Sequence, residues 1–355
     1  MARLQWNESK MNTLDVILPY LKPIEHLLLD DSITEVMING SQVFVEKDGF
    51  LQEIRDVSLG ERSLLAAVEN IAHSLGEDIS ESKPILDSRL PDGTRVSAVI
   101  PPCSDTGVAL TIRKFRKRQF ETADLIQAGT FNPTLARRLE TYVVSKKNIL
   151  ISGASGAGKT TLLSALTRFI PEDDRIVLIE DRPEIQVSQR NVLRFEPKHV
   201  QNGRPSVATR DLLEAAMGHR PDRIVVGAIR GAEAFDLLEL MNSGYSGILV
   251  GIHADSPLQA VARFTSCVLR SGVDLPYRAI KSNIADSLNV VVQLERRPGC
   301  RYISEVFEIN SYDPDTDLFD YCAVYLKQQQ RGASSSEDTL GVNGSETAYS
   351  DGKRH

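Results

Sequence analysis

The sequence predicts a two-part chain of the α/β class: a larger domain with a mostly parallel sheet under covering helices, preceded by a smaller α+β domain around an antiparallel sheet. Three observations carry that expectation. From about residue 133 to 295, short apolar runs alternate with helical patterns: KNILISG (147–153), RIVLIED (175–181), DRIVVGA (222–228) and GILVGIHA (247–254). Runs of this kind, each bounded by helix or loop sequence, mark strands buried on both faces. Before residue 117, apolar and polar residues alternate instead, as in strands with one face toward water. Finally, 355 residues are more than one ordinary domain needs.

Composition narrows the class. With 41% apolar and 25% charged residues, the balance is that of a soluble globular protein, which excludes collagen-like, wholly disordered and membrane-embedded chains. The net charge of −7 disfavours nucleic acid as a direct substrate. No stretch approaches the ~18 consecutive apolar residues of a membrane span, and MARLQWNESK lacks the apolar core of a secretory signal. Four widely separated cysteines without a C-x-x-C pair argue against a disulfide framework or a zinc site. A cytoplasmic protein without stable membrane insertion is expected.

The N-terminal domain is expected over 1–116. LDVILPYLKPIEHLLLD (14–30) has an amphipathic helical pattern that Pro19 and Pro23 must interrupt. ITEVMING and SQVFVEKDGFLQEI follow as strands, with Asp48-Gly49 as a hairpin turn. SLLAAVENIAHSLG (63–76) gathers Leu64, Leu65, Val68, Ile71, Ala72 and Leu75 on one helical face and ends at Gly76. TRVSAVI (94–100) and GVALTIRKF (107–115) are two more strands, and alternation in the second turns Arg113 away from the apolar face. The basic run Arg113, Lys114, Arg116, Lys117, Arg118 leads into an expected linker over 117–132, the larger domain over 133–326, and a polar tail over 327–355. Of the larger domain, 301–326 are expected as a closing β pair around Asp313-Pro314-Asp315. The tail has too few aliphatics to offset its ordering entropy, so disorder is expected there.

The strongest chemical signal is GASGAGKT (153–160), which fits G-x-x-x-x-G-K-[ST] between a strand and a helix. Gly153, Gly156 and Gly158 let the backbone of Ala154, Ser155 and Ala157 wrap a polyphosphate with its N–H groups inward, at the positive end of a helix dipole. Lys159 brings a point charge to the terminal phosphates, Thr160 offers a hydroxyl to Mg²⁺, and Thr161, next in the first helical turn, is expected among the nucleotide-binding residues. ATP with Mg²⁺ is the expected ligand pair. Downstream, IEDRPEI places Glu180, Asp181 and Glu184 at the carboxyl edge of the sheet, where ligands bind in such folds. Carboxylates there suit a metal ion (Glu180, Asp181) or an attacking water (Glu184), although an acidic strand end capped by Arg182 is the plainer alternative. His253 follows a buried strand; alone, such a histidine is more often structural.

In order and spacing these segments resemble the traffic ATPases of type II and type IV secretion, conjugation and type IV pilus machines, over roughly residues 30 to 325. The likeness is to the conjugative-transfer and tight-adherence-pilus branch. GASGAGKTTLL is similar to the family's Walker A, IEDRPEI to its Asp box with Glu184 as the water-activating glutamate, RPDRIVVGAIRG to its Walker B, and GIHADSP to its His box with His253 as the box histidine. The resemblance implies a RecA-like P-loop domain and a homo-hexameric ring. It implies arginines of the first domain, Arg95 and Arg113, reaching the phosphates, and Arg230 after the Walker B strand. It also implies docking on inner-membrane secretion or pilus platform proteins, and so a cytoplasmic subunit peripheral at that membrane.

One position departs from the family pattern. A glutamate normally follows the Walker B glycine, whereas Gly227 is followed by Ala228. A methyl group neither accepts a proton nor holds a metal-bound water, so hydrolysis is expected to be impaired while nucleotide binding survives. Two readings stay open: a motor with one disabled carboxylate, or an ATP-binding, hydrolysis-poor regulatory or scaffold ring component that leans on Glu184 alone.

Overall fold

The computed structural model of the protein describes residues 17–47, 49–57, 59–90, 92–114, 120–198 and 206–327. Of the features expected above, Asp48, the basic residues Arg116, Lys117 and Arg118, and the tail beyond Lys327 lie outside these. The chain divides into two compact units, Met1–Arg118 and Gln119–His355.

In the first unit the prolines limit the opening segment to two single 3-10 turns, Leu18–Tyr20 and Lys22–Ile24, before a short helix α1 (Glu25–Leu29). Its apolar residues are buried nonetheless, Ile17, Leu21, Ile24 and Leu28 among them. Strands β1 (Ile33–Asn39), β2 (Gln42–Lys47) and β3 (Phe50–Ile54) precede helix α2 (Glu61–Ser74). Then come β4 (Ile85–Arg89), β5 (Arg95–Val99) and β6 (Ala109–Arg113). They form one antiparallel sheet in the order β3-β2-β1-β6-β5-β4. Alternate residues Val36, Ile38, Val43, Val45, Val96, Leu110 and Ile112 share a core with Leu64, Val68 and Ile71 of α2. Strand β4 has no counterpart in the sequence reading: an edge strand with only Leu86 buried carries almost no pattern.

The second unit opens with a finding against expectation. The stretch read as a linker holds helix α3 (Thr122–Gln127), whose start is closed by the Glu121 backbone N–H donating to Asp124 Oδ2 at 2.9 Å. Leu125 and Phe131 are buried in the same core as Leu135 and Leu139 of α4 (Pro133–Val144). A six-residue helix is too short to display a periodic stripe, so only its packing reveals it.

Beyond α4 run β7 (Ile149–Gly153), α5 (Lys159–Thr167), β8 (Ile176–Ile179), β9 (Val192–Phe195), α6 (Thr209–Met217), β10 (Arg223–Val226), α7 (Glu233–Asn242) and β11 (Leu249–Ile252). Helices α8 (Pro257–Leu269) and α9 (Tyr277–Ser287) follow, then β12 (Val290–Arg297), β13 (Cys300–Asp313) and β14 (Leu318–Leu326). The sheet order is β14-β13-β12-β7-β11-β10-β8-β9. It is parallel from β12 to β9 and antiparallel through β12, β13 and β14. Ile149 and Ile151 belong to one core and Leu150 between them to the other, which is why these strands are continuously apolar.

Polar knots hold the amino ends of the parallel strands. Asn148 accepts from Ile248 N at 3.0 Å and donates to Ser287 O at 2.8 Å, tying the approaches to β7, β11 and β12. Arg223 is fully buried, donating to Asp174 Oδ2 at 2.7 Å and to the Val143 carbonyl at 2.6 Å. Gly247 makes room for it: at φ +75°, a Cβ there would lie 2.5 Å from Arg223 Nη1. Removing one partner of a buried pair leaves the other uncompensated. Arg223→Ala is therefore expected to destabilise the second unit by about 3 kcal/mol or more in urea unfolding.

Candidate active site

The chemistry-bearing residues gather at the carboxyl ends of β7, β8, β10 and β11. Parallel register sets these ends side by side: Ser152 opposite Ile252, Val250 opposite Val226, and Val226 opposite Ile179. Ligands bind at this edge in doubly wound sheets.

From β7 the chain turns through residues 154–158 into α5. Gly156 and Gly158 take φ values of 72° and 99°, which disfavour any residue with a Cβ. Gly153 is required by close approach, since a Cβ would meet Leu294 O at 2.7 Å. Ala154 and Ser155 are exposed, Ala157 is buried, and Thr160 and Thr161 are half-buried in the first turn of α5. Lys159 is only 8% exposed. Its Nζ donates to the carbonyls of Gly153 at 2.7 Å and Ala154 at 2.8 Å, and lies 3.1 Å from His253 Nδ1. Burial lowers the Lys159 pKa to about 8. Burial first, then the charges of Lys159, Arg230 and Arg263, hold His253 below its ordinary value, so its imidazole is neutral and Nδ1 accepts from the ammonium.

The acidic residues divide into three roles. Thr160 Oγ1 faces Glu184 Oε2 at 3.5 Å, so Glu184 is the carboxylate that the fold turns toward the head of α5. Asp181 is paired with Arg230, Oδ2 to Nη1 at 3.0 Å. Glu180, expected as a metal residue beside Asp181, is placed differently. Its Oε1 accepts from the backbone N–H of Glu184 at 3.1 Å and of Ile185 at 2.8 Å. Arg194 stands 3.8 Å from its other oxygen and donates to the Ile185 carbonyl at 3.0 Å. Glu180 thus locks the turn that carries Glu184. Burial raises its pKa to about 7 against the opposing pull of those two amides.

Ala228 sits where β10 leaves the sheet, in a crowded corner. A Cβ on Gly227 would lie 3.5 Å from Glu180 Cβ, and one on Gly251 would collide with the Gly227 carbonyl. Glu233 Oε1 accepts from Arg230 N at 2.6 Å and Gly231 N at 3.0 Å, closing the turn into α7. In the first unit, Arg95 donates to both oxygens of Asp87 at 2.7 and 2.6 Å. Arg113, exposed at the end of β6, is its register partner across the sheet.

Two residues that touch the phosphate loop were not singled out from the sequence. Arg301 donates from Nε to the Gly156 carbonyl at 2.9 Å, and Arg296 faces Gly156. The only sequence cue was a basic cluster around the Pro298-Gly299 turn, which gives no hint of a neighbour some 140 residues away. For Mg²⁺, the hydroxyl of Thr160 is a suitable hard-oxygen donor. Among the described residues no group of three or more His, Cys, Asp or Glu is placed to hold a metal.

The family model described as type II/IV secretion system protein matches residues 20–344. The chain belongs to this family, the secretion traffic ATPases. It is 32% identical over 339 residues to the type IV secretion system protein VirB11 of Bartonella henselae, covering 85% of this chain and 94% of that protein. It is 31% identical to the conjugal transfer protein TrbB of Rhizobium radiobacter, over 80% of this chain and 86% of the relative. The solved ATPase DotB of Legionella pneumophila is similar in fold, with a TM-score of 0.59 at 18% identity, over 88% of this chain and 84% of that one. These likenesses agree with the family and fold expected from the sequence.

The Glu180 environment has a testable sign. Its folded pKa of about 7 lies above the ordinary 4.5, so its contribution to stability is full below about pH 4.5 and is lost as pH rises through 7. Glu180→Gln, neutral at every pH and still an acceptor, is expected to be more stable than the wild type at pH 8, by on the order of 3 kcal/mol. That gain should fade toward pH 4.5 in paired denaturant titrations.

Proposed function

We propose that the chain is the ATP-hydrolysing motor subunit of a type IV secretion, conjugative-transfer or pilus-assembly machine. It would work as a homo-hexameric ring in the cytoplasm, docked on membrane-embedded platform proteins. Among the described residues no helix is long and apolar enough to cross a membrane, which is consistent with attachment through partners. The observation that carries this reading is the buried Lys159, held by two loop carbonyls at the head of α5 with neutral His253 beside it. A buried ammonium with inward amides around it is a site for a polyphosphate.

In that site Lys159 and the loop amides bind the β and γ phosphates. The Thr160 hydroxyl would hold Mg²⁺, which supplies charge neutralisation between those phosphates. Glu184, on its locked turn, orients and deprotonates the attacking water. Neutral His253 gives Lys159 a partner it can release when phosphate arrives. Arg230 keeps Asp181 in place.

A second reading, a nucleotide-binding ring component with weak hydrolysis, is favoured by Ala228 alone. Steady-state turnover separates them. Ala228→Glu is expected to raise kcat by about 10²-fold if a motor has lost one transition-state group, with little change in nucleotide affinity. No gain, with tight binding in both proteins, supports the second reading. Lys159→Ala is expected to lower turnover by about 10²-fold or more while leaving the melting temperature unchanged. Unaltered nucleotide affinity in that variant would remove the phosphate-loop assignment itself.

A further inference from the structure

The outer wall of the phosphate loop is built by a distant hairpin. Arg296 and Arg301 are register partners across the β12–β13 turn. The sides of the loop glycines that lack a Cβ are filled by these arginines. A Cβ at Gly156 would lie 3.0 Å from Arg296 Nη1, and one at Gly158 would lie 3.4 Å from Arg301 Cδ. Positive φ already requires glycine at both positions, and the two arginines lie against the open faces that result.

Arg301 also makes a directional contact. Its Nε donates to the Gly156 carbonyl at 2.9 Å. In a trans peptide the carbonyl and the following N–H point in opposite directions. Holding the Gly156 oxygen toward Arg301 therefore turns the Ala157 N–H the other way, across the loop. There it donates at 3.3 Å to the Ala154 carbonyl, the same oxygen that Lys159 Nζ holds at 2.8 Å. The amide is aimed at the side where the loop presents its charge, and a charge-assisted bond on the far side keeps it there.

We propose that Arg301, seconded by Arg296, is a positioning residue for the nucleotide's phosphates: it orients the Gly156–Ala157 peptide and adds positive charge behind it, so that the β12–β13 hairpin is part of the polyphosphate site. This rests on the nucleotide-binding reading above and extends it to residues outside every motif of the sequence. It also gives a role to the antiparallel β12–β13 hairpin: β12 lies parallel beside β7, and the turn brings a second cationic element to a loop whose own helix supplies one lysine.

Titration of the full chain with a fluorescent ADP, alongside melting without nucleotide, tests the proposal in the wild type, Arg301→Ala, Arg301→Lys, Arg296→Ala and Lys159→Ala. Arg301→Ala is expected to raise the Kd about tenfold, with the melting temperature unchanged. Arg296→Ala, which removes charge and leaves the Arg301–Gly156 contact in place, is expected to raise it about threefold, and less at high salt. Arg301→Lys keeps the charge but not the planar Nε–H, and is expected to recover only part of the loss. If the wild type binds and Lys159→Ala does not, yet Arg301→Ala binds within about twofold of the wild type, the proposal is overturned and the nucleotide site stands. If Arg301→Ala melts early, Arg301→Lys decides: wild-type affinity there overturns the positioning role, and a several-fold loss in a protein of normal stability supports it. Absence of binding by the wild type itself would instead sink the nucleotide reading, and this inference with it.

Discussion

The site depends on one constraint: an ammonium group must be kept charged inside protein. Lys159 is almost fully enclosed, and an unpaired charge in that position would be far too costly to persist. The fold meets the requirement with the carbonyls of Gly153 and Ala154 and with a histidine that burial first, and then the cations around it, keep neutral. No carboxylate pairs with Lys159 among its described contacts, so its charge stays directed at an incoming anion rather than satisfied in advance. Glycine is the backbone side of the same solution: Gly153 because a Cβ would meet the Leu294 carbonyl, and Gly156 and Gly158 because their φ values of 72° and 99° disfavour a side chain.

The acids follow from that arrangement. With the cation fixed on β7 and α5, carboxylates on the neighbouring strand end must be separated from it and from one another. Glu180 is turned inward against two amides, Asp181 is taken by Arg230, and Glu184 alone is presented to Thr160. One acidic strand end thus becomes a single directed carboxylate on a braced turn. The opposite ends of the strands carry different polar groups, the Asn148 knot and the buried Arg223–Asp174 pair, which hold the sheet in register and take no part in the chemistry. Rigidity at one end lets the loops at the other end be shaped for binding.

Much of this was legible in the residues themselves. The phosphate loop, the four buried strands around it and the one-sided strands of the first unit follow from period, glycine placement and continuous apolar runs, all of which are local properties. Helix α3 escaped because six residues show no period, and β4 because an edge strand with one buried residue has none to show. The surroundings of Glu180 were not legible for a related reason. Sequence shows that a carboxylate stands at a strand end, but whether it faces ligand or protein depends on which backbone amides the next turn offers it.

What the sequence alone determined is therefore the family and the glycine-rich turn between a strand and a helix, closed by lysine and threonine, because that turn is built from adjacent residues. Only the tertiary structure decided which distant side chains lie against that turn. Arg296 and Arg301 reach the loop because β12 lies beside β7 in the sheet, and strand order is set by the packing of helices on both faces rather than by anything written near either arginine.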